Sequence, residues 1–186
     1  TLNVLDELKK VKVINQVNMG LPSARNNGVK NSMGNYLLFL DADDWLEPNA
    51  LECMLKNLLD SKNPAFIFSD IKLEGEANKI LRKKYNFFEQ LFLNQLPYCI
   101  LISRVNFLSI GGYDEQMKSG YEDWEFNIRL GKNNIYGRRL ELPLFHYSVN
   151  KSGMLISKSS KYHLKIWKYI KEKNKDLYTF KELVKL

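Results

Sequence analysis

An uninterrupted apolar run, Tyr36-Leu-Leu-Phe-Leu40, ends without a spacer on three carboxylates in Asp41-Ala-Asp-Asp44. Five apolar residues in a row are what a strand covered on both faces requires. The acids then fall at the carboxyl end of that strand, where open α/β sheets place their ligand crevice. Asp41 and Asp43 are two positions apart, so in extended geometry they project the same way. Adjacent like charges are costly unless a cation shares them, and a divalent metal is the usual partner. Oxygen-only ligands suit Mg²⁺ or Mn²⁺, which would bridge to the phosphates of a bound nucleotide. The same residues also make an acidic turn capping the helix expected after Pro48, and spacing alone does not separate these two readings.

Around that run the periodicity alternates. Residues 1–10 read as a helix with Leu2, Leu5 and Leu8 on one face, followed by a short strand at 11–15. A second helix starts at Leu21-Pro22-Ser23, with Ser23 as its cap and Gly34 as its closing glycine. Pro48 opens a helix continued by Leu51, Leu55 and Leu58. Residues 66–70 form a strand, 74–79 a polar turn, 86–94 a helix and 98–102 a strand or buried segment. Gly111-Gly112 breaks the chain; a helix over 121–130 then stops at Gly131, with a strand at 135–142 behind it. From residue 157 the chain reads as helix, with Ile166, Trp167 and Ile170 as the apolar stripe. Strands alternating with helices imply a mainly parallel, two-sided α/β sheet.

Composition narrows the class further. The chain has 186 residues, 45% of them apolar and 26% charged, which is ordinary for one globular domain. Its longest apolar runs, residues 36–40 and 99–102, fall far short of the roughly 18 residues a membrane span needs. No signal peptide is visible, and Cys53 and Cys99 are too few for a disulfide framework; both are expected as reduced thiols in a cytoplasmic setting. Residues 151–186 carry ten lysines against three acids, whereas residues 1–150 are electrically balanced. That basic tail reads either as a solvated helix face or as a surface for anionic membrane lipid or a phosphorylated acceptor. No reader motif accompanies the lysines, so nucleic acid is not an expected partner.

The motifs resemble family 2 glycosyltransferases of GT-A fold. The segments that carry the likeness are Asn18-Met-Gly-Leu-Pro-Ser-Ala-Arg-Asn26-Asn-Gly28, Gly34-Asn-Tyr36, Phe39-Leu-Asp-Ala-Asp-Asp44 and Pro48. The family pattern is N-x-G-x-x-x-A-R-N-x-G, then G-x-Y, then F-L-D-x-D-D and a later proline. By position the resemblance implies that Asp41 contacts the sugar nucleotide, Asp43 holds the metal and Asp44 is a supporting ligand. Arg25 maps to the arginine of the diphosphate region, or forms a salt bridge to the Asp cluster itself.

A second likeness lies in Gly111-Gly-Tyr-Asp-Glu115 and Tyr121-Glu-Asp-Trp-Glu-Phe-Asn-Ile-Arg-Leu130. In the family the Asp of the Glu-Asp pair is the base that takes the proton of the acceptor hydroxyl. That maps to Asp123, with Glu122 orienting or supporting it. Both lie in a first helical turn, where the macrodipole favours ionised carboxylates, and an acid-rich helix start would look the same. Trp124 and Ile128 are expected in the core, with a wall for an acceptor sugar as the alternative for Trp124.

The likeness covers residues 1–155 and corresponds to the later two-thirds of a family domain. Its first strands, with the base-binding Asp motif, are expected to be missing, and exposed sheet edges would then favour homo-oligomers or other association. Where many members carry Y-R-x-H, this chain has His146-Tyr-Ser-Val-Asn150; Ser148 replaces the Arg and Asn150 the His. His146 could then serve as the metal ligand instead, or be a strand histidine bonded to backbone. The division implied is a partial GT-A domain at 1–155 and a basic helical tail at 156–186. The activity implied is inverting, metal-dependent sugar transfer from a nucleoside diphosphate donor to a glycan or lipid-linked acceptor. The setting would be bacterial surface polysaccharide synthesis, in the cytoplasm or peripherally at the inner membrane face. An inert fragment or interaction module, and a nucleotidyltransferase, are the competing readings.

Overall fold

The structure, a computed structural model, describes residues 11–149 and 161–186. The helix expected over 1–10 and the boundary between 155 and 156 lie outside those residues. In chain order the elements are α1 (Leu21–Lys30), β1 (Tyr36–Leu38), β2 (Trp45–Leu46), α2 (Ala50–Leu59), β3 (Ala65–Gly75), β4 (Lys79–Leu81), α3 (Phe87–Gln90), β5 (Leu101–Ser103), α4 (Arg104–Ser109), α5 (Glu122–Lys132), β6 (Tyr136–Val149), α6 (His163–Lys173), a 3₁₀ turn (Lys175–Tyr178) and α7 (Phe180–Leu183).

The sheet is organised around β3. Its strand order is β1-β5-β3-β6-β2, with β4 also paired to β3. Alternate residues of β3 face opposite layers. Phe66 and Phe68 enter a core with Phe107, Tyr113, Phe126 and Leu130, while Ile67 joins Ala50, Met54, Leu101 and Leu144 beneath α2. Helices therefore cover both faces of the central strand, as its apolar run demands. Burying a side chain the size of Phe or Ile contributes roughly 1.5–3 kcal/mol, so these two layers dominate cohesion. The tail packs on the same body: Ile166 and Ile170 of α6 meet Trp124, Ile128, Met117 and Leu91.

The α/β architecture stands, but the sheet is mixed. Among the described residues only β3 and β6 pair in parallel; β1–β5, β2–β6, β3–β4 and β3–β5 are antiparallel. The β3–β6 pair is joined by a long crossover, as parallel pairing needs. By contrast, the polar turn after Gly75 folds β4 straight back onto β3 as a hairpin. The β3–β6 register slips at Asp70, which faces Pro143; proline has no N–H to give the ladder. Arg139 seals the irregularity by gripping the buried Asp70 at 2.6 and 2.9 Å.

Several local expectations are corrected. β1 spans three residues, and Tyr36 and Leu40 are exposed because, among the described residues, this strand ends the sheet path and pairs only with β5. Residues 11–15 form no strand, and Val11, Val13 and Ile14 are exposed. Ser23 is not a cap: α1 begins two residues earlier after Gly20, and Ser23 is buried inside it. That helix ends at Asn31, before Gly34. Asn86 caps a helix of one turn rather than nine residues, and of the apolar side chains that follow it, Leu91 goes into the core while Phe92 and Leu93 stay exposed. Gly131 does not stop α5. It lies inside the helix against the Phe87 ring, and Asn134, at φ 59°, makes the left-handed exit. β6 runs on to Val149, well past residue 142.

Candidate active site

Arg25 joins the two carboxylate motifs. From α1 its Nη2 donates to Asp41 Oδ1 at 2.9 Å and its Nη1 to Glu122 Oε1 at 2.8 Å. Its guanidinium is buried and lies 4.9 Å above the Tyr98 ring and 5.5 Å from that of Tyr113. A planar fork suits this task, because it spans two acids while stacking on aromatic faces. The alternative left open for Arg25, pairing with the Asp cluster, is the geometry observed, and it extends to Glu122 as well.

The Asp turn is held by groups outside the motif. Tyr98 accepts from the Asp41 N–H at 3.0 Å and donates to Asp44 Oδ2 at 2.5 Å. Ser148, on β6, donates its backbone N–H to Asp44 Oδ1 at 2.7 Å, and its hydroxyl donates to the Asp43 carbonyl. Both Asp44 oxygens are thus occupied and its side chain is buried. Burial holds its pKa above the usual carboxylate range, against the Tyr98 and Ser148 hydrogen bonds. Asp43 is exposed, and among the described residues nothing donates to its carboxylate.

Glu122 and Asp123 open α5. Tyr121, just before them, is held in the left-handed region at φ 63°, which costs a non-glycine residue about 1–2 kcal/mol. Ring contacts with Trp124 and His163 brace it. Burial, and secondarily the neighbouring Asp123 charge, push the Glu122 carboxyl up to about 7, with Arg25 opposing. Burial also raises Asp123, against the hydrogen bond from Asn94 Nδ2, 3.1 Å from Asp123 Oδ2. Trp124 and Ile128 lie in the core, and the Trp124 indole donates to the Gln90 carbonyl.

Other motif residues shape the site from behind. Asn26 reads the backbone of Tyr113 on both sides, donating to its carbonyl at 2.8 Å and accepting from its N–H at 2.9 Å. Gly112, at φ 70°, passes so close that an added Cβ would stand 2.8 Å from Asn26 Oδ1. Arg129 is paired with the buried Glu125 and donates to the Ile110 and Gly112 carbonyls. These residues lock the Gly-Gly loop between α1 and α5, and so fix the span that Arg25 bridges.

His146 lies across from Trp45 on the β2–β6 pair, stacked at 5.0 Å between ring centroids. Its Nδ1 is 2.8 Å from Glu74 Oε1 and its Nε2 is 2.8 Å from Glu47 Oε1. It is bonded to side chains rather than to backbone. With both nitrogens taken, ligating a metal would require release of a glutamate. Among the described residues no group of three His, Cys, Asp or Glu side chains converges as a metal cage. Mg²⁺ bound to a nucleotide needs only one or two carboxylates beside phosphates and water, and the exposed Asp43 with the partly exposed Asp41 fits that demand. A groove of about 550 Å³ runs from Arg25 and Gly28 of α1 along residues 36–42.

Tyr98, Asn94 and Ser148 were not assigned a site role from sequence. Only Ser148 carried a signal, as the residue standing where the pattern has Arg.

The comparisons bear on the family and the fold. The profile described as glycosyltransferase like family 2 matches residues 2–140. An uncharacterised glycosyltransferase of Rickettsia conorii is 41% identical over 141 residues, covering 72% of this chain and 23% of that one. Chondroitin synthase of Pasteurella multocida is 32% identical over 90 residues, covering 46% of this chain and 9% of its own length. Among solved structures, S. aureus TarS 1-349 in complex with UDP-GlcNAc superposes with a TM-score of 0.66 at 13% identity, covering 91% of this chain and 53% of that chain. The chain spans about half, or less, of the relatives it matches: 7% of the first and 54% of an uncharacterised glycosyltransferase of Methanocaldococcus jannaschii. With both carboxylate motifs brought onto one arginine in a GT-A-like α/β fold, and three-quarters of its length matched by the family profile, this chain belongs to glycosyltransferase family 2.

Proposed function

We propose that this chain carries the metal-and-base side of an inverting, metal-dependent glycosyltransferase. It would move a sugar from a nucleoside diphosphate donor to a glycan or lipid-linked acceptor in bacterial surface polysaccharide synthesis. The observation that carries the reading is the Asp41–Arg25–Glu122 bridge, which puts the donor motif beside the base motif. The UDP-GlcNAc complex of the TarS neighbour supports a nucleotide-sugar donor, and the chondroitin synthase relative supports a glycan acceptor.

In this reading Asp123 takes the proton of the acceptor hydroxyl as that oxygen attacks the anomeric carbon. The bond from that carbon to the diphosphate oxygen breaks, and its electron pair leaves with the diphosphate. Asn94 holds one Asp123 oxygen, which leaves the other for the incoming proton. Glu122 keeps Arg25 aimed at Asp41, and Asp41 meets the sugar-nucleotide. Asp44, with both oxygens bonded, supports the turn and does not bind ligand. Asp43 would hold Mg²⁺ or Mn²⁺, which when bound supplies the positive charge that neutralises the leaving diphosphate. His146 reaches such an ion only by giving up Glu47 or Glu74.

Calorimetry with Mn²⁺ and UDP or GDP tests the donor half, and Asp123→Asn tests the base. Abolished transfer with donor binding intact is expected. Retained turnover would refute the base assignment. Absence of any heat would favour the competing reading of an inert fragment or interaction module.

A further inference from the structure

We infer that the surface formed by α3, α6 and the 3₁₀ turn docks on an anionic phospholipid bilayer, with Phe88, Phe92 and Leu93 entering the interface and Lys168 and Lys171 meeting lipid phosphates. The apolar part is continuous. The Phe88 and Phe92 rings are 5.4 Å apart, and Phe92 meets Tyr178 at 5.9 Å. Leu93 beside them is 62% exposed, so the short α3 turn sends Leu91 inward and its next two apolar side chains into solvent.

The basic part adjoins it. The ammonium of Lys171 lies 5.7 Å from the Tyr178 ring and 5.2 Å from that of Trp167. On α6 the stripe Leu164, Lys168, Lys171 recurs at spacings of four and three, opposite the buried Ile166 and Ile170. Leu164 is 71% exposed. Among the described residues Lys165, Lys168 and Lys171 have no acidic partner, and Glu172 is paired with Lys175; Glu89, hydrogen-bonded to the neutral Gln95 amide, is the acid on this surface that keeps its charge. Residues 161–186 hold eight lysines and three acids. An apolar patch rimmed by unpaired lysines on a helix of this kind is the pattern of an interfacial membrane contact, and its charge selects anionic lipid.

The position has a consequence for the proposed reaction. Leu93 is followed directly by Asn94, which bonds Asp123. A bilayer on this surface lies beside the proposed base, where a lipid-linked acceptor would present its head group. That consequence rests on the transferase reading; the docking itself does not.

Vesicle co-sedimentation of the full chain separates the two, because it needs no turnover. Binding to phosphatidylcholine–phosphatidylglycerol vesicles and not to phosphatidylcholine alone is expected. Lys168→Gln with Lys171→Gln should weaken it by roughly thirtyfold, and Leu93→Ser by about tenfold. Lys168→Arg with Lys171→Arg should retain it. All three side chains are exposed, so circular dichroism should be unchanged. Equal binding to neutral vesicles, no binding, or full binding by the glutamine variant would overturn the inference. A dimer in sedimentation velocity that Leu93→Ser abolishes, without vesicle binding, would assign the surface to a second copy instead.

Discussion

Arg25 Nη1 lies 2.8 Å from Glu122 Oε1, across 97 positions of sequence, with both side chains almost wholly buried. The same guanidinium reaches Asp41. Breaking a buried pair by removing one partner costs about 3–5 kcal/mol, because the other charge is left uncompensated. Arg25→Met should therefore lower the melting temperature by roughly 10 °C for a chain of this size. The loss should be smaller at pH 5 than at pH 8, because Glu122 can then take a proton. Differential scanning calorimetry at the two values reads both effects. An equal loss at both would show that Glu122 is not the group left stranded.

Glu122 also sets a pH dependence of its own. Its carboxyl titrates at about 7 in the folded protein against 4.5 ordinarily, so folding takes up a proton between those values. Stability from this group falls as pH rises through that window. Glu122→Gln should flatten the slope of unfolding free energy between pH 5 and pH 7. Asp123→Asn removes the second cause of the shift and leaves burial in place. In carbon-detected carboxyl titrations the Glu122 midpoint should drop in that variant yet stay above 4.5.

Much of this was legible in the residues. Residues 66–70 read as a strand and form one, but the burial on both faces expected of residues 36–40 belongs to residues 66–68 instead, while the Asp cluster follows a strand and the Glu-Asp pair opens a helix as expected. What sequence could not convey is how distant groups meet. Tyr98 belongs to no motif, and nothing local to it says that it will bond both Asp41 and Asp44. Gly131 read as a helix stop because glycine after a periodic run usually is one; its actual role is to make room for Phe87, a contact of 44 positions' separation. The sheet read as parallel because strand–helix alternation cannot reveal that the two- and three-residue strands β2, β4 and β5 return antiparallel.

Tyr98→Phe isolates one of those unannounced groups. The substitution keeps the ring beneath Arg25 and removes only the hydroxyl that donates to Asp44 and accepts from Asp41. Hydrogen bonds to charged groups contribute about 1.5–3 kcal/mol. A loss of that size in chemical denaturation is expected, with an unchanged denaturant slope. In a transfer assay the donor KM should rise more than kcat falls, since the Asp turn loosens while Asn94 still holds Asp123. A pure kcat defect would place Tyr98 on the base side.

Gly28 and Gly131 make opposite predictions for one added methyl group. At Gly131 a Cβ would stand 2.1 Å from the Phe87 ring, and the ring is wedged between helices. Gly131→Ala should then cost about 1–3 kcal/mol as overpacking. At Gly28, inside α1, a Cβ meets nothing within 4 Å, and alanine is the better helix former by roughly 0.5–1 kcal/mol. Gly28→Ala should therefore stabilise the chain. Yet Gly28 lines the groove beside Arg25 and Asp41, so the methyl group occupies space that a donor would use. A higher melting temperature should accompany weaker nucleotide binding by calorimetry. If Gly28→Ala stabilises without any loss of affinity, the donor does not lie along α1, and the groove belongs to something else.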